Sequence, residues 1–234
     1  MILAHYEPLS LTDYPGRLAT TVFTVGCNFA CPYCHNPELV VVTPETPRLA
    51  EDTFFDYLRH RIGKLNGVCI SGGEPTIHLD LPRFVKRIHA LGYAVKLDTN
   101  GSNPPMLASL LEDHSLDYVA MDVKAPPARY TAVSGCPGAD VSTLESIRLL
   151  SSSSIVHEFR TTVLPSLFDE EDIDGIADIL PDGSTYFLQN FVPAKTLDHG
   201  FITRRGFDQS NLGAIAHRVQ ERYPLLHIRT RGAL

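Results

Sequence analysis

Short runs of β-branched and other apolar residues alternate with helical patterns of apolar residues along most of the chain. Six such runs predict β-strands, at residues 20–25, 68–71, 94–98, 118–123, 157–164 and 185–191. Each run is followed by a polar loop and then by a segment with helical spacing of its apolar residues. Strand and helix alternating six times predict a parallel sheet with helices packed against it.

The clearest helical pattern lies between the second and third predicted strands. Its apolar positions are Leu81, Phe84, Val85, Ile88 and Leu91. Asp80 is predicted to cap the amino terminus of this helix and Gly92 its carboxyl terminus. Further helices are predicted around residues 54–65, 144–150 and 212–219, and a capping box over residues 142–145 opens the second of these.

The length of the chain favours one architecture over its alternative. A complete eightfold barrel typically needs about 250 residues, and six strand–helix units fill the 234 residues of this chain. We therefore predict an incomplete (β/α)6 barrel, with a parallel sheet that is open on one side. A doubly wound open sheet is the alternative. No linker rich in glycine, serine or proline divides the chain, which predicts a single domain over residues 1–234.

The composition is that of a globular protein, with 44% hydrophobic and 20% charged residues, and it excludes a disordered or fibrous chain. The 20 lysines and arginines against 27 aspartates and glutamates leave a formal net charge of −7. That balance argues against nucleic acid or an anionic membrane as the main partner. No apolar run approaches the roughly 18 residues of a membrane span, and the first residues lack the pattern of a secretory signal. We therefore expect a cytoplasmic location.

Three of the five cysteines, Cys27, Cys31 and Cys34, fall within eight residues directly after the first predicted strand. Such clustering predicts a ligand site and not a disulfide framework. Thiolates at the spacing C-x3-C-x2-C hold iron–sulfur clusters or zinc. Cys69 lies within a strand pattern and is predicted to be a small core residue. Cys136 stands alone in a loop and is not expected to bind metal.

A structural zinc site is the alternative interpretation of these thiols, with His35 or a distant cysteine as the fourth ligand. Structural zinc sites are closed and four-coordinate, and the chain has no second C-x2-C or H-x3-H pair to complete one. Three thiolates therefore favour a four-iron cluster, in which one iron keeps an open position for chemistry.

Five polar segments fall where predicted strands end. They are the cysteine loop and residues 72–74, 98–101, 122–124 and 189–190. Parallel α/β folds carry their sites at this edge of the sheet. Each segment alone also suits an ordinary turn, as Gly-Gly-Glu-Pro often does. Together they predict a site where charges of both signs could bind a zwitterionic amino acid and Tyr33 could stack on a purine.

These motifs resemble those of the radical S-adenosylmethionine (SAM) enzymes. The cysteine spacing, with an aromatic residue before the last cysteine, is similar to that family's signature, and residues 72–74 are similar to its GGE motif. Residues 98–101 and 122–124 are similar to the D-T-N-G and D-x-K motifs of its glycyl-radical-activating members. Residues 13–16, 26–39 and 158–163 most resemble the activating proteins of anaerobic ribonucleoside-triphosphate reductase.

The resemblance implies a [4Fe-4S] cluster on the three cysteines, with the amino and carboxylate groups of SAM on the fourth iron. An electron from a flavodoxin- or ferredoxin-type protein would cleave SAM to methionine and a 5'-deoxyadenosyl radical. That radical would remove a hydrogen atom from a glycine of a partner enzyme. The residues implied in SAM binding are Tyr33, His35, Gly72, Gly73, Glu74, Asp98, Thr99, Asp122, Lys124, Arg160 and Gln189.

The substrate that the resemblance implies is the glycyl loop of an anaerobic ribonucleotide reductase, which would enter through the open side of the barrel. Asp13 and Tyr14, just ahead of the first predicted strand, are candidates for contacting that loop. Three alternatives stay open at this point. They are activation of another glycyl radical enzyme such as pyruvate formate-lyase, a radical reaction on a small molecule, and a zinc-stabilised binding module.

Overall fold

The computed structural model describes residues 1–232, and its main feature is an eight-stranded sheet. The strands are β1 (Leu3–Ser10), β2 (Ala19–Thr24), β3 (Gly67–Gly72), β4 (Ala94–Thr99), β5 (Tyr118–Asp122), β6 (Val156–Val163), β7 (Thr185–Asn190) and β8 (His227–Arg231). The helices are α1 (Pro37–Val40), α2 (Glu51–Arg61), α3 (Leu81–His89), α4 (Pro104–Glu112), α5 (Tyr130–Ser134), α6 (Ala139–Ser152), α7 (Glu170–Ala177) and α8 (Gln209–Arg222). Short 3-10 helices cover Pro75–Ile77, Pro127–Arg129 and His199–Phe201.

The strands pair in the order in which they occur along the chain, from β1 to β8. β1 runs antiparallel to β2, and every later neighbouring pair is parallel. A doubly wound sheet reverses its strand order near the middle, whereas a barrel wall keeps it. Within the described residues β1 and β8 do not pair with each other, so the wall is open on one side. The predicted incomplete α/β barrel is therefore confirmed, and the doubly wound alternative is wrong.

The structure adds two strands, β1 and β8, to the six that the sequence predicts. β1 has a mixed sequence in which Glu7 is followed by Pro8, and four of its eight residues are exposed. β8 reads His-Ile-Arg-Thr-Arg, and three of its five residues are exposed. Both strands lie at an edge of the sheet, where they are only half buried. Strands of this kind lack the continuous apolar run by which the central strands were predicted.

The helix boundaries agree only in part with the predicted caps. α3 begins after Asp80, as predicted, although the Asp80 carboxylate makes no capping hydrogen bond, and Gly92 lies beyond its end. The capping box predicted over residues 142–145 is wrong, because α6 already begins at Ala139. Gly138 precedes that helix with φ of +75°, a conformation that favours glycine. No helix within residues 1–232 is long and apolar enough to cross a membrane.

The hydrophobic core lies between the sheet and the surrounding helices. Phe54 and Phe55 of α2 and Phe84 of α3 are at most 2% exposed, and their ring centroids lie 5.3 to 6.0 Å apart. The inner face of the wall is polar instead, since Lys96 on β4 and Glu158 on β6 are each 1% exposed. Buried charges cost free energy unless they are paired. The inner face is therefore the part of the fold that needs a functional explanation.

The segment between β1 and β2 covers the amino-terminal end of the wall. The Tyr14 side chain is buried, and its ring centroid lies 5.9 Å from that of Tyr118, the first residue of β5. The Arg17 guanidinium lies 5.4 Å from the Tyr14 ring on another side. Asp13 accepts a hydrogen bond of 2.5 Å from the hydroxyl of Thr21. Side chains thus fill this end of the barrel, and the carboxyl-terminal end carries the cavity described next.

Candidate active site

An open cavity of about 860 Å³, counting the solvent space at its mouth, lies at the carboxyl-terminal ends of β2 to β6. The predicted site residues that line it are Cys27, Cys31, Tyr33, Cys34, His35, Gly72, Gly73, Glu74, Asp98, Thr99, Asp122, Lys124 and Arg160. Residues that sequence reasoning missed line it as well, namely Phe29, Asn36, Val40, Ser71, Asn100 and Thr162.

The cysteine loop leaves β2 directly and is anchored at both ends. Gly26 has φ of +96° and donates its N–H to the carbonyl of Leu39 at 2.7 Å. Ala30 donates to the carbonyl of Ser134 at 2.7 Å, which fixes the loop to the end of α5. Cys31 is buried, and Cys27 and Cys34 are half-buried beside the cavity. The local sequence thus presents three thiols to one cavity.

The thiols lie in a setting that disfavours their charged form. Burial raises the pKa of Cys27 to about 12 and that of Cys31 to about 11, and it raises the pKa of Cys34 as well. The nearby Lys124 ammonium acts in the opposite direction on all three. A bound metal deprotonates a coordinating thiol outright. Metal binding at this loop would therefore release protons.

A structural zinc ion would need four ligands, with thiolates at about 2.3 Å. Among residues 1–232, no three side chains of His, Cys, Asp or Glu converge on a point that could hold one metal ion.

The two glycines after β3 let their loop pack onto the cysteine loop. Gly73 donates to the carbonyl of Thr24 at 2.9 Å, and Glu74 donates to that of Gly26 at 2.8 Å. A Cβ at Gly73 would overlap the Gly26 carbonyl, and one at Gly72 would overlap the backbone of Thr24. Gly72 also has φ of +112°, which few other residues adopt. Close approach between two chain segments therefore requires both glycines.

Glu74 joins the loop after β3 to the loop after β4. Its carboxylate accepts hydrogen bonds from the backbone N–H of Thr76 at 3.0 Å and from the Thr76 hydroxyl at 2.6 Å. It also accepts from the Thr99 hydroxyl and from the Asn100 N–H, each at 2.7 Å. Protein donors thus occupy this 1% exposed carboxylate. The arrangement supports a positioning role for Glu74 at the edge of the cavity.

Five charged side chains of alternating sign cross the floor of the cavity and the layer beneath it; we call them the charge ladder. They are Lys96, Asp98, Arg160, Asp122 and Lys124. The Lys96 ammonium donates to Asp98, and Arg160 Nη1 lies 3.5 Å from Asp98 Oδ1. Arg160 Nε donates to Asp122 Oδ1 at 2.7 Å, and Lys124 Nζ donates to Asp122 Oδ2 at 2.9 Å. Strands β4, β5 and β6 are therefore linked across their inner face.

Coulomb interactions keep the ladder ionised although it is buried. Burial disfavours the charged carboxylates, yet Arg160 and Lys124 hold the pKa of Asp122 well below its usual value. Arg160 and Lys96 likewise lower the pKa of Asp98 against the effect of burial. Three cations and two carboxylates leave one net positive charge. The ladder can thus bind one further anionic group, such as a carboxylate.

Two aromatic residues of the cysteine loop have different surroundings. The Tyr33 hydroxyl is buried, and it has no hydrogen-bond partner among residues 1–232. The His35 ring lies 5.3 Å from the ring of Phe191, and burial lowers the pKa of His35, which favours its neutral form. An unpaired buried hydroxyl costs free energy. Tyr33 therefore offers a hydrogen bond to a ligand.

Three predicted site residues are not in the cavity lining. Gln189 on β7 lies opposite Thr162 on β6, and of these two residues only Thr162 lines the cavity. Tyr14 lies against Tyr118 at the start of β5, and Asp13 bonds to Thr21 of β2. Both lie outside the cavity lining because a segment that precedes β2 meets the amino-terminal half of that strand. Their contact with a substrate loop stays a prediction.

Asn100 is a missed residue whose side chain lies close to the cysteines. Its side-chain amide donates to Asn28 at 3.1 Å and lies 4.0 Å from the sulfur of Cys27. Asn28 in turn donates to the hydroxyl of Ser102 at 2.8 Å. The sequence could have identified Asn100 as a site residue, because it belongs to the D-T-N-G segment at residues 98–101.

Comparisons with known proteins agree with this site. Residues 21–180 match the family model of the Radical SAM superfamily. A protein of Methanocaldococcus jannaschii named as a glycyl-radical enzyme activating enzyme is 34% identical over 203 residues, which are 82% of this chain and 81% of that protein. The pyruvate formate-lyase-activating enzyme of Streptococcus mutans is 29% identical over 71% of this chain and 66% of its own.

A solved structure shares the fold. Streptococcus suis SuiB bound to S-adenosylmethionine superimposes with a TM-score of 0.66 at 15% identity, over 88% of this chain. The matched region is 48% of that structure, so this chain spans about half the length of its structural relative. At this level of identity the likeness bears on the fold alone.

Proposed function

The chain belongs to the radical SAM superfamily and to its glycyl-radical enzyme activating enzymes, and we propose that its substrate is an anaerobic ribonucleoside-triphosphate reductase. The superfamily uses a [4Fe-4S] cluster and SAM. Membership also removes the zinc-stabilised binding module, which would have needed only the cysteine loop. The specific substrate rests on residues 13–16, 26–39 and 158–163, which most resemble the reductase activating proteins.

The donor set fits the cluster and SAM. Cys27, Cys31 and Cys34 would hold three irons, and the fourth would take the amino and carboxylate groups of SAM. When bound, the cluster supplies the electron that breaks a C–S bond of SAM, and the resulting 5'-deoxyadenosyl radical takes a hydrogen atom from a substrate glycine. The unpaired Tyr33 hydroxyl and the net positive ladder support this fit. They are groups that a zwitterionic ligand would satisfy.

The chain's own residues would bind and orient SAM. Lys124 and Arg160 offer N–H donors and positive charge to a carboxylate. Asp98 and Asp122 offer acceptors to an ammonium group and negative charge to a sulfonium group. Glu74 would act indirectly, through the two loops that it joins. Enclosure by the cysteine loop would exclude water from the reacting atoms. The cofactor itself would carry the difficult chemistry.

The open side of the wall supports a macromolecular substrate. A peptide loop would reach the inner face laterally between β1 and β8, which do not pair with each other within residues 1–232. A radical this reactive must form only when its target hydrogen is in place, so docking of the partner would complete the site. A flavodoxin- or ferredoxin-type electron donor and a cytoplasmic, anaerobic setting belong to the same proposal.

Pyruvate formate-lyase is the second candidate substrate, because activating enzymes for that protein are among the relatives. The two candidates are separated by incubating reduced protein and SAM anaerobically with either substrate enzyme. We expect a glycyl doublet in the electron paramagnetic resonance spectrum with the reductase and a much weaker one with the lyase. The opposite order would overturn the proposed substrate and leave the activating function intact.

A further inference from the structure

Lys96 is the buried cation of the charge ladder that has no direct role in the proposed binding of SAM. It lies on β4, is 1% exposed, and does not belong to the cavity lining. Its ammonium donates to Asp98 and lies 3.7 Å from the sulfur of Cys69. The Tyr118 ring centroid is 5.9 Å away. An apolar side chain of similar size would fill this space without the desolvation cost of an ammonium. The charge itself therefore needs an explanation.

The surroundings of Asp98 supply that explanation. Asp98 accepts a hydrogen bond of 3.1 Å from the Ser71 hydroxyl. Two cations, Lys96 and Arg160, also lie beside it. Lys96 bonds to it directly, whereas Arg160 stays 3.5 Å away and gives its Nε hydrogen to Asp122. Without Lys96, Asp98 would be left with Arg160 as its strong partner. Arg160 would then be drawn from Asp122 towards Asp98, and the order of charges across the floor would change.

We propose that Lys96 is a positioning residue for SAM binding. From the side of Asp98 away from the cavity, Lys96 orients the Asp98 carboxylate towards the cavity, and Arg160 thereby stays paired with Asp122. The inference rests on the proposed function in that SAM is the ligand. Lys96 touches neither the cavity nor a ligand within it. Its effect on binding must therefore pass through Asp98.

A double-mutant cycle tests this route. SAM affinity is measured by equilibrium dialysis on anaerobically reconstituted wild type, Lys96→Met, Asp98→Asn and the double variant, with iron content recorded for each. Lys96→Met should weaken SAM binding roughly tenfold with iron content preserved. Adding Lys96→Met to Asp98→Asn should weaken binding no further, because the residue through which Lys96 acts has lost its charge.

Two further variants separate positioning from general structure. Lys96→Arg keeps the charge and should recover most of the affinity. Lys86 lies on α3, is exposed and pairs with Asp113. The control variant Lys86→Met should therefore bind SAM like the wild type. If Lys96→Met fails to fold, the comparison of Asp98→Asn with the double variant decides, since the double variant leaves no buried charge without its partner at this pair.

Each outcome has a definite meaning. Wild-type affinity in Lys96→Met would overturn the role of Lys96, and so would additive losses in the double variant. A wild-type protein that carries its iron but does not bind SAM would instead contradict the proposed function. The two failures are therefore distinguishable in one set of measurements.

Discussion

Arg160 on β6 and Asp122 on β5 lie opposite each other on two paired parallel strands, and the Arg160 Nε donates to Asp122 Oδ1 at 2.7 Å. The bond fixes the plane of the guanidinium in the floor of the cavity, with its Nη1 group 3.5 Å from Asp98. Two carboxylates thus share one preorganised cation, which the proposed SAM site would use. Fixed charges of this kind bind a ligand without the cost of reordering on binding.

The cysteine assignment predicts a selective loss of iron. Replacing Cys27, Cys31 or Cys34 by alanine should abolish most iron and sulfide after anaerobic reconstitution, because each thiolate would hold a separate iron. Cys136→Ala is the matched control and should keep its full iron content. Full iron content in the Cys31→Ala protein would show that the assignment is wrong.

Lys124 tests whether the charge ladder contributes to SAM binding. Lys124→Met should weaken SAM binding roughly tenfold or more, since a hydrogen bond to a charged group contributes about 1.5 to 3 kcal/mol. The cluster should still load, because Lys124 is not a thiol ligand. Isothermal titration with SAM measures the effect, with Lys86→Met as the control. Equal affinities in the two variants would contradict a role for Lys124.

The glycine loop predicts opposite effects at two positions. Gly73→Ala should displace the cysteine loop, because the new Cβ overlaps the Gly26 carbonyl. We expect lower cluster content and a lower midpoint of thermal unfolding. Gly213→Ala is the control, since it lies within α8 with open space around it. It should stabilise the protein by roughly 0.5 to 1 kcal/mol. A Gly73→Ala protein with wild-type cluster content would contradict the packing argument.

The partly buried carboxylate of Asp122 predicts a dependence of stability on pH. Its pKa is lowered in the folded protein, so the unfolded chain takes up a proton at higher pH than the folded one. The stabilisation is therefore complete above the unfolded pKa of about 3.9 and is lost as the pH falls towards the folded value. At pH 7, Asp122→Asn should destabilise the protein by about 1.5 to 3 kcal/mol, because Arg160 and Lys124 lose the charge of the partner that they share.

Urea unfolding of wild type and Asp122→Asn between pH 3 and pH 7 measures this dependence. The difference in free energy of unfolding should be constant at neutral pH and shrink below about pH 4. A difference that grows as the pH falls would contradict the ion pairing described for Asp122. Exposed Asp56, paired with Arg59 on α2, offers a control in Asp56→Asn. That variant should change stability little at any pH.

Much of the site was predictable because the carboxyl-terminal ends of parallel strands converge. The cysteine loop and the segments that contain Asp98 and Asp122 each follow a strand with a clear apolar pattern, and all of them line one cavity. Alternation along β4 also placed Lys96 on the same face as Asp98. The position of Arg160 beside both of them, however, depends on how β4, β5 and β6 pack side by side, which the local pattern does not contain.

Other features could not be predicted from local patterns. β1 and β8 are half-exposed edge strands whose mixed sequences lack an apolar run. The packing requirement at Gly73 arises from contact with Gly26, more than 40 positions earlier in the chain. The placement of Asp13 and Tyr14 could have been inferred, because a segment ahead of a strand reaches the end of the sheet opposite to the site.

The central claim, that the protein takes a hydrogen atom from a glycine of its partner, has a direct isotopic test. The candidate reductase is prepared with glycine deuterated at Cα and incubated anaerobically with the reduced protein and SAM. The 5'-deoxyadenosine formed is then analysed by mass spectrometry. We predict that it carries one deuterium atom, together with a glycyl radical signal that has lost its doublet splitting. Unlabelled 5'-deoxyadenosine formed in proportion to the glycyl radical would contradict the claim.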